Sequence, residues 1–232
     1  MMAVMKFPTL VPGRFGHRDN RFRATVLVEG EEQWAHVPNS GRLTELFVPG
    51  RPLWLAPAGA PHRKTAYDLK LVEYAGVLVS VDARLPNPLL AEALAAGRLP
   101  SFPYPEVSRE VALGESRLDF HLSGPDGVCW LETKSVTLVE KGIARFPDAP
   151  TGRGRRHLLE LEQVCGDGAR AVVIFVIQRP DARVFRPHES ADPAFAETLR
   201  RVAAAGVEVR ALTCQVSRAE IVIAGEIPVD LS

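Results

Sequence analysis

For its first 82 residues the chain alternates apolar and polar side chains and offers no strong helical period. The run "RFRATVLVEG" sets Phe22, Ala24, Val26 and Val28 on one face, turns at Glu29-Gly30-Glu31, and continues as "QWAHV". "PLWLAPA", "YDLKLVEYA" and "VLVSVDA" repeat the pattern, separated by Gly and Pro. Side chains on a strand point alternately to its two faces, so these short runs describe a small antiparallel barrel or sandwich. Five strands in about 70 residues suit an OB-like β-barrel.

Beyond Arg84 the texture changes. "NPLLAEALAAG" reads as a helix, with Pro88 in its first turn and Gly97 as its stop. A second helix is expected from about Arg155 to Cys165, and a third over "DPAFAETLRRVAAAG", with Asp192 as N-cap and Gly206 as stop. "RAVVIFVIQ" reads as a fully buried strand, and "VEVRALTCQV" as a closing one. Strands followed by alternating helix and strand give an α/β fold, a mixed sheet with helices on its faces. The expected organisation is a barrel over residues 1–83 and a larger α/β (or α+β) unit over 84–232.

The start of that second unit carries charge where burial is expected. In "RLDFHL", Leu118, Phe120 and Leu122 share one face while Asp119 and His121 share the other. "SGPDG" is a turn, and in "VCWLETKSV" Trp130, Glu132 and Lys134 share a face. Paired as a hairpin, the two segments bring Asp119 beside Glu132 and Lys134. Two nearby carboxylates repel unless a cation lies between them or one is protonated. Oxygen donors of this kind suit Mg²⁺ or Mn²⁺, and an adjacent ammonium would orient the attacking water or stabilise charge on a phosphate. As a bare pattern, Glu-x-Lys on a strand is equally an exposed ion pair.

Overall charge does not single out a partner, because 28 basic residues balance 28 acidic ones. Locally the balance fails. Arg14, Arg18, Arg21 and Arg23 cluster near the start, and Arg145, Arg153, Arg155 and Arg156 precede or open the second helix. These are two solvated loops or one shared basic surface. In "APTGRGRR", Gly152 and Gly154 would let backbone N–H groups approach an anion at a helix start, with Arg153 and Arg155 reinforcing it; Thr151 as a simple cap is the alternative. Phe15, Phe22 and Trp34 read as core, so contacts with a nucleic acid are expected to be dominated by its backbone and to depend steeply on salt. Cys129, Cys165 and Cys214 have no metal spacing and read as buried free thiols of a reducing cytoplasm. The longest apolar run, "AVVIFVI", is far short of the roughly 20 residues that span a bilayer, so no membrane partner is expected.

Taken together, "HVPNSGRLTELFVPG", "RKTAYDLKLV", "SRLDF", "LETKSVTL", "FPDAPTGRGRRHLLEL" and "GVEVRAL" resemble the sugar fermentation stimulation protein A family of prokaryotes. The resemblance is collinear from about Phe7 to Leu212. It implies an N-terminal OB-like domain and a C-terminal domain similar to the PD-(D/E)xK nucleases. It also implies DNA binding of low sequence specificity and a link to sugar (maltose) utilisation genes. Asp119, Glu132 and Lys134 match the nuclease core, with Glu110 at the upstream acidic position; Leu118 replaces the literal Pro before the Asp. Asp119 and Glu132 become the expected ligands of Mg²⁺ or Mn²⁺. On the second helix His157, with Glu160 and Gln163, is expected to reach the metal or phosphate. His36, Asn39, Ser40 and Arg42 of "HVPNSGRL", with Arg14, Arg153 and Arg155, are the expected DNA contacts. Two readings follow: a metal-dependent nuclease, or a DNA-binding regulator that keeps the nuclease fold without using it. A small-molecule sensor built on the barrel has no motif in its favour. Oligomeric state is left open, with a homodimer among the options.

Overall fold

The computed structural model describes residues 5–59, 63–114, 116–125 and 127–232. After a short β1 (Met5–Lys6), the chain forms β2 (Val11–Asn20), β3 (Arg23–Val28), β4 (Glu31–His36), β5 (Pro52–Pro57), β6 (Tyr67–Tyr74) and β7 (Val77–Ser80). The order is β4-β3-β2-β5-β6-β7, and β4 returns to pair with β6 in parallel at Ala35↔Tyr67 and His36↔Asp68. Five strands therefore close into the OB-like barrel, with β7 riding on β6. Closure satisfies the edge hydrogen bonds of the sheet. It requires β2 to bend across β3, and two glycines allow this. A Cβ on Gly13 would lie 2.9 Å from the Leu27 carbonyl oxygen, and one on Gly16 would lie 2.8 Å from that of Thr25.

The barrel core gathers Phe15, Ala24, Val26, Val28, Ala35, Leu53, Leu55, Leu69 and Val72, as the alternation predicts. Phe22 departs from it. The strand begins at Arg23, so Phe22 falls in the turn and is 49% exposed. Trp34, also expected in the core, points outward from β4 and is 46% exposed.

The second unit runs through α1 (Pro86–Ala95), β8 (Glu106–Leu113), β9 (Ser116–Gly124), β10 (Gly127–Val136), β11 (Val139–Glu140), β12 (Ile143–Phe146), α2 (Gly152–Gly166), β13 (Arg170–Ile177), β14 (Val184–Pro187), α3 (Pro193–Ala204), β15 (Glu208–Val216) and β16 (Glu220–Ile227). Its main sheet has the order β1-β16-β15-β13-β10-β9-β8. β10, β13 and β15 are parallel neighbours, flanked by antiparallel strands. The parallel centre is buried on both faces, which explains the unbroken apolar run of β13. α2 and α3 cover one face, packing Leu158, Leu161, Phe195 and Leu199 against Val173 and Phe175. α1 covers the other, with Leu89 and Leu90 clustered with Phe120, Leu131 and Ile174. The third helix is capped as expected, Asp192 Oδ1 accepting from the Phe195 N–H at 3.0 Å. Among the described residues no helix is long and apolar enough to cross a membrane.

Several features escape the sequence reading: β2, which takes the barrel place expected of β7, the edge strand β8, β16, β1 pairing with it from the start of the chain, and the small sheet β11-β12-β14. β1, β11, β12 and β14 have two to four residues each, too few to show a period of two. Asp126 of the expected "SGPDG" turn lies outside the described residues. Cys129 and Cys214 are buried thiols as expected, whereas Cys165, near the end of α2, is only half-buried.

A buried glutamine joins the barrel to the sheet. Gln178 is fully enclosed; its backbone carbonyl accepts from the Ser80 N–H and its Oε1 from the Ser80 hydroxyl. Its Nε2 donates to the Asp82 carbonyl and to Ser135 Oγ. Nearby, Asn39 Nδ2 donates to the Val81 carbonyl, and the Leu43 N–H donates to Asp148 Oδ2. The loop from Pro38 to Leu43 is thereby held over the sheet.

Candidate metal and phosphodiester site

β9 and β10 pair from Gly124↔Gly127 to Phe120↔Leu131. Asp119 and Glu132 stand one step beyond the last pair, where β10 continues against β13 alone on that side. Glu110 of β8 lies at the register position opposite Asp119, exposed, with a backbone φ of 54°. That left-handed geometry is uncommon for a residue with a Cβ and kinks the edge strand at the site.

Around this fork lies a cleft of about 600 Å³ lined by Asp119, Glu132, Lys134, Glu110 and His157, together with Asn87, Arg84, Arg109, Arg153 and Ser40. The five residues expected to be catalytic thus line one cleft. Glu132 is 3% exposed and holds its charge through two neighbours. Lys134 Nζ donates to Glu132 Oε1 at 2.5 Å, and His157 Nδ1 bonds the same oxygen. Burial alone would push the Glu132 carboxyl up; the Lys134 ammonium and the His157 hydrogen bond outweigh it and hold it below the usual range. The His157 tautomer follows from its other nitrogen. Arg153 Nε donates to His157 Nε2 at 3.3 Å, so Nδ1 carries the hydrogen and donates to Glu132.

Asp119 is shifted the other way. Burial and the charge of Glu132 push its carboxyl up, against hydrogen bonds from Thr133 and Asn87. Asp119 Oδ2 accepts from the Thr133 N–H and meets Thr133 Oγ1, both at 2.7 Å; Asp119 Oδ1 accepts from Asn87 Nδ2 at 2.6 Å. Thr133 Oγ1 also meets Asn87 Oδ1. One hydroxyl hydrogen thus faces two acceptors. Turning the Asn87 amide over only moves the deficit to Asp119 Oδ1, so the ring is one hydrogen short in either orientation.

The donor set fits a hard divalent cation. Glu132 Oε2 is buried without a hydrogen-bond partner, and among the described residues Asp119 forms no ion pair. Among the described residues no cluster of three or more His, Cys, Asp and Glu is arranged to hold an ion. The protein would supply two carboxylates, leaving the remaining positions to water and substrate, as is usual for Mg²⁺.

The other expected residues divide. Ser40 and Arg153 line the cleft, and Asn39 lines an adjoining cavity. Asn39 also has a structural task, accepting from the Gly41 N–H while it holds Val81. Arg42 is exposed on another side, beside His188. His36 Nδ1 is paired with the Phe22 carbonyl, and Arg14 donates to that of Gly50. At the start of α2 the expected anion position is taken from within: the Thr151 N–H donates to Asp192 Oδ2, Gly154 N–H to Thr151 Oγ1, and Arg155 pairs with Asp192. Glu160 is half-buried and Gln163 exposed, and neither lines the cleft. Asn87, Thr133, Arg84 and Arg109 were not singled out from sequence. The only local sign of Asn87 is its place between Pro86 and Pro88.

A closed OB-like barrel joined to a mixed sheet with three helices, with Asp119, Glu132 and Lys134 at the fork of its hairpin, defines a class of α/β protein built from two parts. A family model described as the SfsA N-terminal OB domain matches residues 17–81, and one described as the sugar fermentation stimulation protein RE domain matches residues 84–220. The chain belongs to the sugar fermentation stimulation protein (SfsA) family. It is 47% identical over 225 residues to the sugar fermentation stimulation protein homolog of Desulforamulus reducens, covering 97% of this chain and 94% of that one. The homolog of Maricaulis maris is 45% identical over 234 residues, covering 98% and 100%. Pyrococcus furiosus SfsA, solved in complex with Ca²⁺, superposes with a TM-score of 0.91 at 35% identity, covering 99% of this chain and 100% of that one.

Proposed function

We propose that this chain is a metal-dependent phosphodiesterase acting on DNA with little sequence specificity, in which Asp119 and Glu132 hold Mg²⁺ or Mn²⁺. The observation that carries the reading is the pair itself: Glu132 Oε2 buried without a partner, in one cleft with the carboxylate of Asp119. The Ca²⁺ complex of the Pyrococcus furiosus relative supports a site for an oxygen-seeking divalent cation. A bound cation would polarise the phosphoryl oxygen and make water a better nucleophile. Lys134, held by Glu132, points its ammonium into the same cleft, where it stabilises negative charge on the phosphate as attack proceeds. His157 fixes the Glu132 carboxylate, and Arg153 fixes His157. Arg84 and Arg109 on the cleft wall offer contacts to flanking phosphates. Free thiols fit a reducing compartment, and we place the protein in the cytoplasm.

The test is cleavage of labelled single-stranded, duplex and branched DNA in Mg²⁺, Mn²⁺ or EDTA, with Asp119→Ala protein purified in parallel. Cutting that needs metal and vanishes in the variant supports the reading. Binding without cutting on every substrate overturns it in favour of a non-catalytic DNA-binding role.

A further inference from the structure

Two exposed aromatic rings, Phe22 and Trp34, lie on the barrel, and the phosphodiester chemistry makes no use of them. Phe22 occupies the β2–β3 turn, which is fastened on both sides. Its N–H donates to Asn20 Oδ1 at 2.9 Å, and its carbonyl accepts from the Val37 N–H at 2.9 Å and meets His36 Nδ1 at 3.0 Å. A rigid turn thus presents a phenyl ring to solvent. Trp34 lies on the outer face of β4, and the Arg23 guanidinium sits 4.3 Å from its ring centroid, covering one side of it. His36 shares that face of β4, two residues on.

Arg21, the neighbour of Phe22, lines a cavity of about 310 Å³ between the barrel loop and the second sheet. That cavity shares Ser40, Ala83 and Ser135 with the cleft of Asp119 and Glu132. Arg145 lines its other side. The carboxylate cleft therefore adjoins a cavity lined by Arg21 and Arg145; Phe22 follows Arg21 in the chain, and His36, which bonds the Phe22 carbonyl, is two residues from Trp34 on the same strand.

We propose that this surface binds a single-stranded nucleic acid, with bases stacked on Phe22 and Trp34 and backbone phosphates beside Arg21 and Arg145. The inference rests on the phosphodiester reading and names its substrate. The chemistry favours a single strand because flat rings offer binding energy only to unstacked bases. In a duplex those base faces are already covered by their neighbours. Arg23 behind Trp34 strengthens the platform by holding the ring in place and contributing a cation–π contact.

Trp34 supplies its own probe. Full-length protein in EDTA, at low salt, would be titrated with a 15-nucleotide DNA strand, the RNA strand of the same sequence, and the blunt DNA duplex, following tryptophan fluorescence and, separately, anisotropy of a labelled oligonucleotide. The expected result is quenching by a single strand, with DNA or RNA preferred according to which quenches at lower concentration. Phe22→Ala and Trp34→Ala should each weaken single-strand binding by about tenfold. Trp34→Phe should keep most of the affinity while losing the quench. Single-strand affinity unchanged from the parent in both alanine variants, or an unchanged quench in Trp34→Phe, overturns the inference. If that happens while the duplex binds and is cut with metal, the phosphodiester reading survives alone. If no nucleic acid binds or is cut, both fall.

Discussion

Removal of the Lys134 ammonium, for example as Lys134→Met, leaves a carboxylate stranded in the protein interior. Glu132 is buried, its Oε1 bonded to Lys134 and His157, and its Oε2 bonded to nothing. Taking one partner from a buried ion pair costs about 3–5 kcal/mol. The surviving His157 hydrogen bond places the loss near the lower end, about 3 kcal/mol. In a chain of this length that corresponds to roughly 6–12 °C in melting temperature. The cost must also depend on pH. In the parent the Glu132 carboxyl sits below its ordinary value, so it contributes stability above the unfolded pKa of about 4.3, lost as pH falls through the lower folded value. Without Lys134 the opposing effect of burial dominates and that contribution disappears. The difference between parent and variant should therefore be full at pH 7 and shrink as pH falls towards about 4.3, because burial without Lys134 makes the variant's Glu132 take up its proton first. Thermal melts in EDTA from pH 7.5 to pH 4, with Glu132→Gln/Lys134→Met run alongside, measure this. The double variant removes both charges and should recover most of the loss. A deficit constant across pH, or a double variant as unstable as the single one, would refute the reasoning.

Asp119→Asn should have the opposite sign. Burial and the Glu132 charge raise the Asp119 carboxyl, so its contribution to stability is fully present below its unfolded value of about 3.9 and lost as pH rises through the folded one. The variant should melt above the parent at pH 7.5 in EDTA, with the gap closing towards pH 4, while metal-dependent cleavage is lost. Gln178→Leu removes the side-chain hydrogen bonds to Ser80, Asp82 and Ser135 and leaves Ser80 Oγ without a partner. It should cost about 2–3 kcal/mol and speed proteolysis in the segment joining barrel and sheet, read by denaturant melts and limited digestion. Lys134→Ala should abolish cleavage while leaving DNA affinity within a few-fold of the parent, checked by anisotropy; equal loss of both would remove the assigned role.

How far the sequence reveals this site depends on the range of the interactions. Asp119, Glu132 and Lys134 are legible because a period of two and one turn decide what a hairpin brings together. Asn87 is not: its bond to Asp119 exists only because α1 crosses the hairpin fork, a long-range fact without a local pattern. His157, Glu160 and Gln163 looked like one stripe, but steps of three residues drift by about 60° each on a helix of 3.6 residues per turn. His157 consequently enters the site while Gln163 ends in solvent. The helix start at Thr151 looked free for an anion because Asp192, which fills that role, is 41 residues away. Phe22 and Trp34 looked like core because alternation shows which residues share a face, not where a strand ends or which face is wet.

Titration of Mn²⁺ into the protein at pH 7.5, followed calorimetrically, bears most directly on the claim that Asp119 and Glu132 share a divalent cation. The account predicts a site in the parent that is lost, or weakened at least about tenfold, in both Asp119→Ala and Glu132→Gln. Equal Mn²⁺ affinity in parent and both variants would contradict it.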